Sequence, residues 1–301
     1  MITLPIWNGP SRYDGTELVM VATTSGNGKT NDVVGISLVT RAAWDATRAS
    51  QISWRESGDA LYRSISGRTK GEEFKERTAT AGVRSICPGS CSHLQNGNCY
   101  VVDNAQNSSQ IAATVRRSRP LPPVWTMDET RKAMEKILMG AEAMDLIDVR
   151  FMFMGDGGAV PPEVIGLILW MVKAAGLGTL AYTHDWRNTP WLRGSHMASV
   201  ETEEERQEAK AAGWRCFVAR PNDGQAWPAD LAMCPASKEY GALKGKTLSC
   251  SECRQCDGAG VTKDRGIASH GLADGSKKAA RINRGNFKIV NTYGRTLGLY
   301  A

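Results

Sequence analysis

VRFMFMGDGGAVPPEVIGLILWMVKAAGLGTLAYTHDW, Val149 to Trp186, contains one whole strand, helix, strand unit. VRFMFMG is a short, nearly continuous apolar run, the pattern of a strand covered on both faces rather than on one. The loop DGGAVPP interrupts it, and EVIGLILWMVKAAG then reads as a helix closed by glycine. TLAYTHDW is a second strand. Two strands joined through a crossover helix run parallel, so this stretch sets the fold class.

The same alternation extends both ways. Upstream, a helix is expected from about Asp128, capped by Thr126, through ETRKAMEKILMGAEAMD. Downstream come a strand or turn around HMASV, an acidic-capped helix ETEEERQEAKAAG and a strand WRCFVAR. These are β/α units, and the expectation is an α/β protein whose parallel repeats form a partial or complete TIM-like barrel with cysteine-rich metal-binding loops. RGSHMAS, Arg193 to Ser199, coincides with a common cloning-vector remnant. It runs straight into the next helix pattern and is read as native.

Residues 1 to 40 read as short strands, VMVATT and DVVGISLVT, around the turn SGNGKTND. GNGKT is not a phosphate loop, because the first glycine of that motif would fall at Thr23. From Arg41 to Arg84 the chain turns polar and reads as partly helical surface. Three parts follow: 1–84, strands and a polar insertion packed on the core; 85–233, the β/α core; and 234–301, a cysteine group with a basic tail, compact with the core.

A chain of 301 residues with 42% hydrophobic content builds a core without disulfide or metal support, so its eight cysteines need another reason. No secretory segment and no membrane-length apolar run is visible, VIGLILWMV being the longest, so a soluble, cytoplasmic protein is expected. The net charge of +6 comes from 37 basic against 31 acidic residues, a mixed-sign surface with a mild basic bias. Arg116, Arg117 and Arg119, and Lys277, Lys278, Arg281, Arg284 and Lys288, are local clusters that would suit a nucleic acid or nucleotide partner.

Cys234, Cys250, Cys253 and Cys256 form C-x15-C-x2-C-x2-C. Two-residue gaps turn successive thiolates onto one centre, and four sulfurs suit tetrahedral zinc or a 4Fe-4S cluster; the tandem gaps stand closer to the ferredoxin run. Cys87, Cys91 and Cys99 form C-x3-C-x7-C. With His93 they would make a closed zinc staple; without it, a 4Fe-4S cluster with one open iron. Cys216, inside an apolar strand, reads as a core residue. The two thiol groups, separated by β/α units, are expected to approach one barrel mouth.

Chemistry in α/β folds gathers at the carboxyl ends of strands. That rim would include Asp156, His184 and Asp185, with His196 and Ser199 beside them. Asp156 lies among Gly155, Gly157 and Gly158, whose amides could meet a ligand; the alternative is a capped turn. His184 reads as a proton donor, a ligand or a structural histidine, and His270 as a cluster neighbour or a loop residue. Trp170 and FMFM read as core.

The order of these motifs resembles the radical-SAM superfamily: a cysteine loop, a strand ending in GDGG, a strand ending in YTH, further β/α units and a closed cysteine group. The resemblance covers roughly residues 85 to 256. It implies a cluster with an open iron on Cys87, Cys91 and Cys99, contact of the Gly155 to Gly158 loop with S-adenosylmethionine, a second cluster on the C-terminal cysteines, and enzymatic work by Asp156 and His184. The superfamily's usual loop is C-x3-C-x2-C, whereas seven residues separate Cys91 from Cys99 here. CPGSC…GNCYV, GDGGAVP, YTHDWR, MASVET…GWRCF and CPAS…CSECRQC…HG also resemble a group of uncharacterised phage and prophage proteins. In that comparison Leu61 to Arg84 is an insertion, and a nucleotide or nucleic-acid-related substrate is implied. The contrasting reading is a non-enzymatic zinc protein whose staples shape a nucleic-acid or protein-binding surface.

Overall fold

The computed structural model describes residues 2–24, 33–49, 83–91, 115, 120–121, 125–220, 228–260 and 263–268, and the backbone of a hairpin formed by Lys288–Val290 and Thr296–Leu299. The chain opens with β1 (Thr3–Pro10), β2 (Glu17–Thr23) and β3 (Val33–Thr40), a meander whose neighbours pair antiparallel. Gly15 turns the first hairpin with φ +76°, a left-handed conformation that glycine adopts without a Cβ penalty. Helix α1 (Arg41–Ala49) follows directly, then α2 (Val83–Ile86) before the first cysteine loop.

Helix α3 spans Met127–Glu142 and starts where the sequence predicts, because Thr126 and Glu129 close a reciprocal capping box. It leads into β4 (Asp148–Arg150), α4 (Pro162–Ala174), β5 (Gly178–Leu180) and β6 (Tyr182–Thr183). Pro162 opens α4, where its missing N–H costs nothing, and Gly176 follows its end with φ +73°. Val164, Ile165, Ile168, Met171 and Val172 of α4 are buried, but Trp170 is 65% exposed. That corrects the assignment of Trp170 to the core: at 100° per residue, position 170 turns away from the stripe of 164, 168 and 171. The FMFM stretch is core at Phe151, Met152 and Met154.

The remaining elements are β7 (Met197–Val200), α5 (Glu203–Ala211), β8 (Cys216–Arg220), β9 (Leu231–Met233), α6 (Lys238–Lys244), α7 (Cys250–Cys253) and β10 (Asp264–Ala268). RGSHMAS is integral, since His196, Met197 and Ala198 are fully buried at the entry to β7.

One sheet runs β1-β2-β3-β4-β5, with β3, β4 and β5 parallel; the other runs β6-β7-β8-β10-β9 and is parallel throughout. β5 and β6 are successive stretches of one extended segment, hinged at Ala181, so the two sheets continue into each other. The N-terminal meander is hydrogen-bonded into this layer through β3 and β4. The fold is mixed α/β with parallel sheets. Among the described residues it does not close into a barrel: the antiparallel hairpin occupies one edge and β9 the other.

Alternation along the strands sends side chains to two different environments. Ala181, Ala198, Val200, Cys216 and Val218 join α3 and α4 in the main core, together with Ile36, Leu38, Val149 and Phe151. We call this the outer face. Leu180, Tyr182, Met197 and Phe217 point the other way and gather with Val33, Phe153, Cys250 and Cys256. At the outer face's margin, buried Arg206 of α5 is met by Asp264 of β10 at 2.9 Å and by Glu203 and Asp230. Asp264 also accepts from the Cys216 amide at 2.9 Å, which ties α5, β8 and β10 together.

Candidate functional site

The inner face is half-buried along its upper strands, where it carries Ser199, Phe217 and Arg265. Register fixes their order. Ser199 of β7 stands opposite Phe217 of β8, Phe217 opposite Arg265 of β10, and Arg265 opposite Ala232 of β9. At the near end of this row, His184 follows β6, with its Nε2 3.0 Å from Ser199 Oγ. On the flank toward β4, the Arg150 guanidinium stacks over the Phe153 ring, 4.5 Å from its centroid.

Asp156 lies beyond the carboxyl end of β4 and is 2% exposed. Its Oδ1 accepts from the Gly158 amide at 2.9 Å and the Thr183 hydroxyl at 2.8 Å, and its Oδ2 from the His184 amide at 2.7 Å. Burial pushes the carboxyl up to about 6; the three donors pull the other way and the Asp185 carboxylate pushes further up. Asp156 thus caps the 3-10 turn Gly157–Ala159 and anchors the start of the His184 segment. Sequence reading joined Asp156 and His184 by position; the structure joins them by a hydrogen bond through the His184 backbone.

The glycines around Asp156 face the protein's own side chains. A Cβ at Gly158 would collide with the Tyr13 hydroxyl and stand 3.0 Å from Asp185 Oδ2, one at Gly157 would stand 3.1 Å from His196 Nε2, and one at Gly155, which has φ +88°, 3.1 Å from the Ile86 carbonyl. The room that a bound ligand would need above this turn is occupied by Tyr13, Asp185 and His196. Tyr13 is held protonated by burial, with Asp156, Asp185 and the Cys87 thiol each adding to the upward shift. The Cys87 loop is fastened to the same end of β4, since the Asp156 amide donates to the Ile86 carbonyl at 2.7 Å. Cys87 packs against the main core and Cys91 is buried. Cys99, His93 and His270 lie outside the described residues, as do Arg116, Arg117, Arg119, Lys277, Lys278, Arg281 and Arg284.

The C-terminal thiols occupy the other environment. Cys234 follows β9 and its amide donates to Gly266 of β10 at 2.7 Å; Cys250 and Cys253 bound α7; and the Cys256 carbonyl accepts from Ala181 at 3.1 Å, where the two sheets join. Burial pushes the Cys256 thiol up to about 12, opposed by a hydrogen bond from Tyr182, and the Cys234, Cys250 and Cys253 thiols add to the upward shift. Cys234, Cys250 and Cys253 are therefore each within electrostatic reach of Cys256. Among the described residues no three His, Cys, Asp or Glu side chains are drawn together tightly enough to hold an ion as they stand. Arg254 and Asp257 lock the segment in place, Arg254 Nε donating to Asp148 Oδ1 at 3.1 Å and Arg215 Nη1 to Asp257 Oδ1 at 2.7 Å. Gly258, φ +70°, presses so close to the His196 backbone that no Cβ fits. Cys87 packs with the main core, and Cys250 and Cys256 with the inner-face cluster.

His196 is placed differently from the sequence expectation. It precedes β7 instead of following it, is fully buried against the Phe151 ring, and accepts or donates only through Nδ1, 2.9 Å from Ser195 Oγ. Its Nε2 has no partner among the described residues, and burial lowers its pKa to about 3. Cys216 is a fully buried core thiol, as expected, pushed up to about 12 by burial. Sequence reasoning missed Arg265, Phe217 and Arg150; strand register alone puts Phe217 and Arg265 in the row of Ser199, and Arg150 beside Leu180. Among the described residues no helix is long and apolar enough to cross a membrane.

No protein-family model matches this chain, and comparison with curated proteins and with solved structures gives no match.

Proposed function

We propose that this chain is an iron-sulfur protein of radical-SAM-like build, with Cys234, Cys250, Cys253 and Cys256 as a closed 4Fe-4S centre against the inner sheet face, acting on a nucleotide or nucleic-acid-related substrate laid along that face. The observation that supports it is that three thiols, Cys234, Cys250 and Cys253, stand within electrostatic reach of one buried sulfur, Cys256, whose ionisation they oppose. Such a group is unfavourable as thiolates alone and becomes favourable around a cationic centre, to which metal binding and folding are then coupled. A cluster there would supply one-electron transfer. Tyr182 would hold the Cys256 sulfur by a hydrogen bond, and the His184 and Ser199 pair would accept or deliver a proton at the inner face, with Asp156 fixing the backbone of His184.

Cys87, Cys91 and Cys99 are the proposed ligands of a second cluster. S-adenosylmethionine does not fit the turn from Gly155 to Gly158 as it stands, because Tyr13, Asp185 and His196 fill the space over its glycines. The second reading, a zinc protein without enzymatic activity that offers a binding surface, is favoured by the way Arg254, Asp257 and Gly258 fasten the thiol segment to the strands, the role of a structural staple.

Purification without oxygen decides between them. A brown protein with about four or eight irons per chain is expected. Cys256→Ala is expected to lose the four irons of the C-terminal centre, while Cys216→Ala retains the full complement. A colourless, zinc-loaded protein would sink the iron-sulfur reading.

A further inference from the structure

We infer that Arg265, Ser199 and His184 form the seat for a phosphate group on the inner face of the sheet. The inference rests on the proposed substrate class and names the residues that would recognise it. Ser199, Phe217 and Arg265 succeed one another on adjacent parallel strands. At a strand spacing of about 4.8 Å, the Ser199 and Arg265 backbones stand about 10 Å apart, a gap that a long guanidinium side chain and one tetrahedral anion span together. His184 completes the row through its contact with Ser199.

Arg265 is the unusual member. Its Nε is buried and meets no hydrogen-bond acceptor among the described residues. Other arginines have carboxylates: Arg206 has Asp264, Asp230 and Glu203, Arg215 has Asp257, Arg254 has Asp148 and Arg187 has Glu208. A buried guanidinium N–H without an acceptor is unfavourable, and the planar fork of the group matches two oxygens of a phosphate. Arg150, stacked on Phe153, adds a second cation to the same face without a carboxylate partner among the described residues. Phe217, between Ser199 and Arg265 in the row, offers a ring edge to a sugar or base carried by that phosphate.

Calorimetric titration of the full-length, anaerobically purified chain tests this. The probes are a nucleoside 5′-monophosphate, the parent nucleoside, inorganic phosphate and a short single-stranded oligonucleotide. The monophosphate is expected to bind at least tenfold tighter than the nucleoside, with Arg265→Met erasing that difference, Arg265→Lys restoring part of it, and Ser199→Ala reducing it. An oligonucleotide bound more tightly than the monophosphate, with steep salt dependence, assigns the phosphate to a nucleic-acid strand. The reverse preference assigns it to a free nucleotide, and inorganic phosphate bound as tightly as the monophosphate places all recognition in the anion. Equal binding of nucleoside and monophosphate, no saturable binding of any phosphate probe, or an Arg265→Met chain that binds as the unmodified one does, overturns the inference. Metal content is read on the same samples. An iron-free protein that still discriminates would end the iron-sulfur reading alone, and an iron-loaded protein that does not would end the phosphate seat alone.

Discussion

The same five strands, β6 to β10, with Ala181 just ahead of β6, present an outer face whose apolar members are Ala181, Ala198, Val200, Cys216 and Val218 and an inner face of Tyr182, Met197, Ser199, Phe217 and Arg265. The first set is aliphatic or small, wholly buried and covered by helices, as parallel sheets require. The second mixes aromatic rings, a hydroxyl and a guanidinium, and is covered at its lower end by the cysteine segment with its one-turn helix α7 rather than by a long amphipathic helix. A parallel sheet does not need such residues for stability. The contrast accords with packing on the first face and with the proposed phosphate seat on the second.

That assignment is easiest to break with paired substitutions. Ile168→Ala, emptying a fully buried site of α4, is expected to cost about 2–5 kcal/mol in denaturant unfolding, whereas Ser199→Ala on the inner face is expected to cost under about 1 kcal/mol. Equal losses would mean that both faces are packing surfaces.

The pH response sharpens the comparison, because two buried groups titrate in opposite senses. Asp156, raised from 3.8 to about 6, contributes stability that is present below pH 3.8 and lost as pH rises toward 6. His196, lowered from 6.5 to about 3, contributes stability that is present above pH 6.5 and lost as pH falls toward 3. Between about pH 4 and 6 the slopes oppose, each about 1.4 kcal/mol per pH unit, and the unmodified protein is expected to be nearly flat. Asp156→Asn should expose the loss on acidification, and His196→Gln the loss on raising the pH. Urea midpoints measured at half-unit steps would show this, and a flat profile in both variants would remove both groups from the account.

The smallest effects belong to the outside of the helices. Arg187→Ala, which breaks the exposed pair with Glu208, is expected to shift stability by no more than about 0.5 kcal/mol, and less in high salt. Trp170→Ala should behave similarly, since the indole is mostly in solvent. A loss of several kcal/mol at Trp170 would point instead to a covered helix face.

Much of this was legible in the residues themselves. Period and punctuation locate α3, α4 and α5: Thr126 with Glu129, Pro162 with Gly176, and Thr202 ahead of three glutamates are local signals, and local backbone chemistry obeys them. Apolar runs with crossover helices require parallel strands, and that puts Asp156 and His184 at carboxyl ends. Cysteine spacing marks the thiol groups. Tertiary structure alone decided that Trp170 faces water, that His196 is sealed beneath Gly157 and Gly258, that the GDGG turn is filled by Tyr13 and Asp185, and that Ser199, Phe217 and Arg265 share one row. The reason is register: side chains alternate with period two, so slipping one strand by a single residue would move its whole set to the opposite face. Only the pairing of segments distant in sequence fixes which set that is.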